Sequence, residues 1–261
     1  MEGVAALSHS RRNDLEAHQS ASALYDKQSL NWVRDKPTCL SDFTGRPRVV
    51  AAVEDVLSKG DATVLDVGCG EGYMSRTFMA MGARKVIGID ISEEMIARAN
   101  LQDTVDQTNI VLGAAFEVGF CDLAVAVFLF NYMTIHDMTS CMSDVFSALK
   151  PGGTFVFSVP HPAIIQFTTD TFGFKGEAGD QNRYFSLRDQ VISGHIKKTD
   201  GTVLNVRMVF KTLDDYFKAL STIGFEIVTC EEARVKPEHM ASNPSFFASV
   251  SDAPLHLVFK V

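Results

Sequence analysis

From residue 63 onward, short apolar runs alternate with longer stretches whose apolar side chains recur three or four positions apart. The short runs predict strands at 63–67, 85–89, 110–112, 123–128 and 154–159. The longer stretches predict helices at 73–81, through Met95, Ile96 and Ala99, and at 139–149. Gly82 and the turn Lys150-Pro151-Gly152-Gly153 end two of them. The run 123–128 is apolar almost throughout, as a strand covered on both faces must be. Strands and helices in strict alternation predict a parallel sheet with helices on both sides.

The alternation lapses after residue 159. Residues 191–198 and 202–209 flank Thr199-Asp200-Gly201, which predicts a β-hairpin. An amphipathic helix at 212–223 carries Leu213, Tyr216, Phe217 and Leu220 on one face and stops at Gly224. Residues 225–230 and 255–261 are the last predicted strands. Before residue 60 the pattern is helical: 21–33 with Tyr25 and Trp32, then a helix after Pro47 with Val49, Val53 and Leu57 on its apolar face. These readings divide the chain into an N-terminal helical lid segment, 1–59, and an α/β domain, 60–261, with an insertion at about 160–210.

The segment Val64-Leu65-Asp66-Val67-Gly68-Cys69-Gly70-Glu71-Gly72 runs a strand into three glycines and then a helix. Glycine lets backbone approach a ligand closely, and the N–H groups at a helix start suit an anionic group. The second strand ends at Asp90, 22 residues after Gly68 (90 minus 68). An acid there sits beside the first loop of a doubly wound sheet and can accept from ribose hydroxyls; the plainer reading is a cap for the next helix. The dinucleotide fingerprint G-x-G-x-x-G needs a third glycine where this chain has Tyr73, which argues against a nicotinamide enzyme.

The string VLDVGCGEGY, the IGID ending in Asp90 and LKPGGTFVFSVP resemble, in order and separation, the motifs of class I S-adenosylmethionine-dependent methyltransferases. The resemblance covers about 60–160 and implies a Rossmann-like, seven-stranded, mostly parallel sheet with an antiparallel last strand. It implies S-adenosylmethionine as cofactor, S-adenosylhomocysteine as product and a small-molecule acceptor. Asp66 and the backbone of Gly68, Cys69 and Gly70 would hold the methionine part. Asp90 would bind the ribose, with Ile91 and Met95 against the adenine. Ala115 and Phe116 would lie at the adenine edge, and Val127 and Phe128 beside the sulfonium. Many members carry an acid after the third strand's glycine; here Gly113 is followed by Ala114.

For the acceptor, Phe128-Leu129-Phe130-Asn131-Tyr132 lacks the prolines of the exocyclic-amine motif. Asn131, His136, Tyr25 and Trp32 are candidate substrate contacts. His161, between two prolines at the carboxyl edge of the fifth strand, is the candidate general base. His195, in the hairpin, is expected to be exposed. The net charge of −8 argues against a nucleic-acid partner. Five cysteines without a C-x-x-C argue against disulfides and zinc and for a cytoplasmic protein. The longest apolar stretch is too short to span a bilayer, so no membrane partner is expected. A nucleotide-dependent oxidoreductase and a non-catalytic cofactor-binding module are the alternatives.

Overall fold

The computed structural model describes residues 36–101, 110–112, 118–167, 169–175 and 183–261. Seven strands form one sheet: β1 (Thr63–Val67), β2 (Lys85–Ile89), β3 (Ile110–Leu112), β4 (Cys121–Val127), β5 (Leu149–Pro160), β9 (Thr229–Ala233) and β10 (His256–Lys260), in the order β3-β2-β1-β4-β5-β10-β9. β1 through β5 pair in parallel, and β10 runs antiparallel to both β5 and β9. The strand order reverses between β1 and β4, and ligands bind at such a switch point, outside the carboxyl ends of the strands.

Side chains alternate across the sheet. Val64, Leu123, Val125, Val156 and Val258 face one side, where helices α2 (Gly45–Leu57) and α3 (Tyr73–Ala80) bury Val49, Val53, Leu57 and Phe78 against them. Leu65, Ala124, Ala126, Phe155 and Phe157 face the other. There α5 (Ile135–Ala148) and α6 (Leu213–Ile223) contribute Met138, Met142, Tyr216 and Leu220. Ala124 and Ala126 leave room for the rings of Phe130, Phe155 and Phe157, whose centroids lie 5.2–6.1 Å apart. The remaining sheet helix, α4 (Glu93–Leu101), follows β2. A four-residue helix, α1 (Leu40–Phe43), precedes α2. The α2 helix falls within the expected lid segment, yet its apolar stripe is spent on the sheet. Tyr25 and Trp32 lie outside the described residues.

The insertion is a second, antiparallel sheet: β6 (Phe172–Lys175), β7 (Val191–Lys197) and β8 (Val203–Val209). The expected hairpin is β7–β8, in register from Val191↔Val209 to Lys197↔Val203, while β6 had no clear period in the sequence. His195 on β7 is half-buried rather than exposed. Beneath this sheet lies a separate core of Phe172, Phe174, Met208, Phe210, Phe247 and Leu255. The last helices, α7 (Pro237–Ser242) and α8 (Pro244–Phe247), were also not read from the sequence; each starts on a proline, which suits a first helical position.

Several boundaries differ from the sequence reading. β4 begins at Cys121 and β5 at Leu149, so the expected turn Lys150-Pro151-Gly152-Gly153 lies within β5, where the β4–β5 register shifts after Cys121↔Leu149. α5 starts at Ile135, because the Thr134 side chain caps it by accepting from Asp137 N. β4 ends at Val127, because Phe128 leaves extended geometry. β9 starts at Thr229 rather than 225. Gly224 N and Phe225 N both donate to Leu220 O, prolonging the helix end, and Phe225 packs its ring on Phe146 and Phe155. Among the described residues no helix is long and apolar enough to cross a membrane.

Candidate active site

A cavity of about 250 Å³ opens along the carboxyl edge of the large sheet. A buried water needs only about 10–15 Å³ on this measure, so the space is of ligand size. One end is the glycine loop. Gly68 N and Cys69 N donate to Ile89 O at 2.8 and 3.0 Å, which ties the loop to the end of β2. Asp90 Oδ2 accepts from Gly70 N and Oδ1 from Ser92 N, both at 2.9 Å. Asp90 therefore braces the loop and the entry to α4 while lining the cavity. Gly70 has φ +56°, and a Cβ there would enter open space. That space is what a ligand fills when backbone must approach it.

Asp66 is buried at the cavity floor and accepts from Ser75 Oγ at 2.6 Å. Burial pushes its carboxyl up to about 6; the charge of Asp90 adds to this, and the Ser75 hydroxyl and Arg46 oppose it. Glu71 is buried in the same wall. Three acids facing one cavity favour a cationic ligand group. Cys69 is no nucleophile: burial, with Asp66 and Asp90 nearby, drives its thiol strongly upward, and the thiol donates to Gly70 O.

Phe128 sits at φ +56°, a left-handed backbone rarely adopted by a bulky residue and costing about 1–2 kcal/mol. The surroundings hold it there. Its N–H donates to Ser158 O at 3.0 Å, and its ring meets the His256 ring edge-on at 4.8 Å. Arg46 lies 5.3 Å from the ring centroid. The ring also rests on Gly45, where a Cβ would stand 2.5 Å from its tip. Strain maintained by this many contacts is characteristic of functional sites. Just beyond, Asn131 is buried in the cavity wall, and among the described residues its Oδ1 has no hydrogen-bond partner.

The far wall comes from the insertion, chiefly Phe172, Phe174, Ile196, Val206 and Met208. Two contacts dock it against the segment after β4. Asp189 Oδ1 accepts from Ile135 N at 2.7 Å. The buried Lys211 donates to the carbonyls of Phe130, Met133 and Val209. Burial pushes Lys211 down to about 7, against the pull of Asp189, Asp215 and Asp137.

Of the residues singled out in the sequence, Asp66, Gly68, Cys69, Gly70, Asp90, Ile91, Met95, Val127, Phe128 and Asn131 all border this cavity. Ile91 is 71% exposed, an apolar side chain left uncovered beside Asp90. Ala115 and Phe116 lie outside the described residues. Two histidines are not brought in. His136 is exposed in the first turn of α5. His161 caps a short 3₁₀ turn: its Nδ1 accepts from Ala163 N at 3.0 Å and its Nε2 faces Glu232 Oε1 at 2.9 Å. Both nitrogens are engaged and the ring turns toward β9, away from the cavity, so no lone pair remains for a base. Sequence reasoning missed Arg46, Lys211 and His256. Each owes its place to strand or helix packing that no local motif signals.

Comparison with known proteins agrees with this architecture. Residues 44–227 match the family model described as a methyltransferase domain. N-demethylindolmycin N-methyltransferase from Streptomyces griseus is 26% identical over 192 residues, 70% of this chain and 77% of the relative. A ribosomal protein L11 methyltransferase from Halalkalibacterium halodurans is 30% identical over 118 residues, 42% of this chain and 35% of the relative. The crystal structure of an S-adenosylmethionine-dependent methyltransferase from Mesorhizobium loti superposes with a TM-score of 0.63 at 26% identity, covering 82% of this chain and 95% of that one. With the family match spanning most of the chain, its strand order and its glycine loop, the protein belongs to the class I S-adenosylmethionine-dependent methyltransferases.

Proposed function

We propose that this enzyme methylates a small, largely apolar acceptor bound between the glycine loop and the insertion sheet. The observation that carries the reading is one continuous cavity with an acidic, backbone-rich end and an apolar end. Asp66, with the backbone of Gly68, Cys69 and Gly70, holds the cationic methionine part of the cofactor. Asp90 takes the ribose, and Ile91 and Met95 cover the adenine, which accounts for the exposure of Ile91. Val127 and Phe128 lie beside the sulfur. S-adenosylmethionine supplies the activated methyl group, so the chain's task is to align the acceptor and exclude water. Asn131 borders the same cavity and is the polar side chain proposed to contact the acceptor.

The acceptor-site insertion at about 160–210 closes the apolar end. Phe172, Phe174, Val206 and Met208 suit a flat or branched apolar body and offer few hydrogen bonds to a peptide backbone. The five free thiols suit a reducing, cytoplasmic setting. Methyl-labelled S-adenosylmethionine, incubated with the protein and a cell extract, tests the reading. Label in the low-molecular-mass fraction supports it. Label confined to protein or nucleic acid overturns it.

A further inference from the structure

On the small-molecule reading above, we infer that His256, rather than His161, is the residue that receives the acceptor: its Nε2 lone pair accepts a hydrogen bond from an acceptor hydroxyl or amine. His256 is the first residue of β10. Because β10 runs antiparallel, its first residue lies at the carboxyl edge of the parallel strands, opposite Pro160 at the end of β5. The residue borders the cavity, and its ring packs edge-on against the strained Phe128.

The tautomer follows from a chain of hydrogen bonds. Thr44 Oγ1 donates its single proton to Leu40 O at 2.8 Å. The same oxygen lies 2.9 Å from His256 Nδ1 and so accepts from it. With the proton on Nδ1, Nε2 is left as an acceptor. Among the described residues Nε2 has no hydrogen-bond partner, and since the residue lines the cavity we take its lone pair to open there.

The charge state agrees. Burial, reinforced by Arg46 and by His161, holds the imidazole down at about 3, with Asp42 pulling the other way. The ring is uncharged at neutral pH, so Nε2 remains an acceptor. His161, just past the end of neighbouring β5, is the inverse case: Nδ1 is occupied by a backbone N–H and Nε2 by a carboxylate. An acceptor positioned by His256 carries a hydrogen-bond donor on the atom to be methylated, or next to it, on an otherwise apolar frame. A thioether or a carbon nucleophile lacking such a donor does not meet this requirement.

Two measurements test the inference. The first is nitrogen-15 NMR of histidine-labelled protein saturated with S-adenosylhomocysteine, the His256 signals being assigned by their loss in His256→Gln. The expected result is a pyrrole-type Nδ1 and a pyridine-type Nε2, unchanged between about pH 5 and 8, where an ordinary imidazole titrates. Thr44→Val removes the oxygen that fixes the proton and is expected to spread it over both nitrogens. A wild-type spectrum with the proton on Nε2, or an imidazolium at neutral pH, overturns the inference. The second is label transfer into the low-molecular-mass fraction of an extract. His256→Phe is expected to lower it about 10–100-fold, the scale of a buried donor left unpaired. His256→Gln, which still offers an acceptor oxygen, is expected to retain more, with S-adenosylhomocysteine affinity within about twofold throughout. Transfer by His256→Phe at the wild-type rate overturns the inference. If the wild-type protein labels no small molecule, it is the small-molecule reading that fails, and the NMR spectrum still decides the state of His256.

Discussion

The glycine-loop end of the cavity draws on two short stretches, residues 66–74 and 90–95. The insertion end draws on side chains from Leu40 to His256, on helix α1, strands β6 to β8 and the start of β10. The first end is largely backbone: Gly68 N, Cys69 N and Gly70 N are fixed by Ile89 O and Asp90, and Gly70 leaves space open. The second is largely side chain, apolar, and built over its own core. A backbone surface offers little to vary by substitution, whereas a side-chain surface can be rebuilt residue by residue.

The largest effect expected is at the backbone end. Gly70→Val places a branched side chain where, among the described residues, nothing stands within 4 Å, at a φ that valine resists. Binding of S-adenosylhomocysteine in calorimetry should be lost. A valine variant that folds and binds normally would reduce the loop to a simple turn.

Asp66→Asn comes next and should move affinity and stability in opposite directions. Burial raises the folded-state carboxyl from 3.8 to about 6. Its contribution to stability is thus full below about 3.8 and lost as pH rises through about 6, leaving a buried carboxylate as a cost at neutral pH. Removing it should stabilise the ligand-free protein by up to roughly 3 kcal/mol at neutral pH. Cofactor binding should weaken sharply in the same variant. In the wild type, a cationic ligand favours the ionised form, so S-adenosylmethionine affinity should fall as pH drops below about 6. A flat pH profile would remove Asp66 from contact with the cation.

Asp90→Ala should cost about 1.5–3 kcal/mol of cofactor affinity, roughly 10–100-fold in Kd. Unchanged affinity with the fold intact would leave Asp90 only its bonds to Gly70 and Ser92. The smallest effect on the cofactor is expected at the other end. Met208→Ala should leave S-adenosylhomocysteine affinity within about twofold and alter the KM or identity of the methylated small molecule. A large loss of cofactor affinity there would show that the two ends are not separable.

The alternation of strands and helices, the loop 66–72 and Asp90 were legible because each is local: a period, a run of glycines, a fixed interval. The hairpin was legible from a turn flanked by apolar runs. β6 escaped because four residues, Phe172–Lys175, carry too short a pattern, and β9 was misplaced because Phe225 belongs to the core without belonging to a strand. His161 drew attention because prolines and a strand end surround it. Where its ring turned depended on Glu232, a residue 71 positions away.

Sequence alone determined the doubly wound half-sheet, the glycine loop and the acid opposite it, because these are properties of neighbouring residues and of their spacing. Tertiary structure alone decided the places of Arg46, Lys211 and His256. Arg46 reaches it through a helix packed on the sheet. Lys211 fastens the insertion to the segment after β4 from 78 to 81 residues away. His256 depends on a last strand inserted antiparallel beside β5, and its tautomer on Thr44, 212 residues earlier. A lone pair's direction is set by the partner of the opposite ring nitrogen, and that partner is chosen by packing between distant segments, which no local pattern encodes.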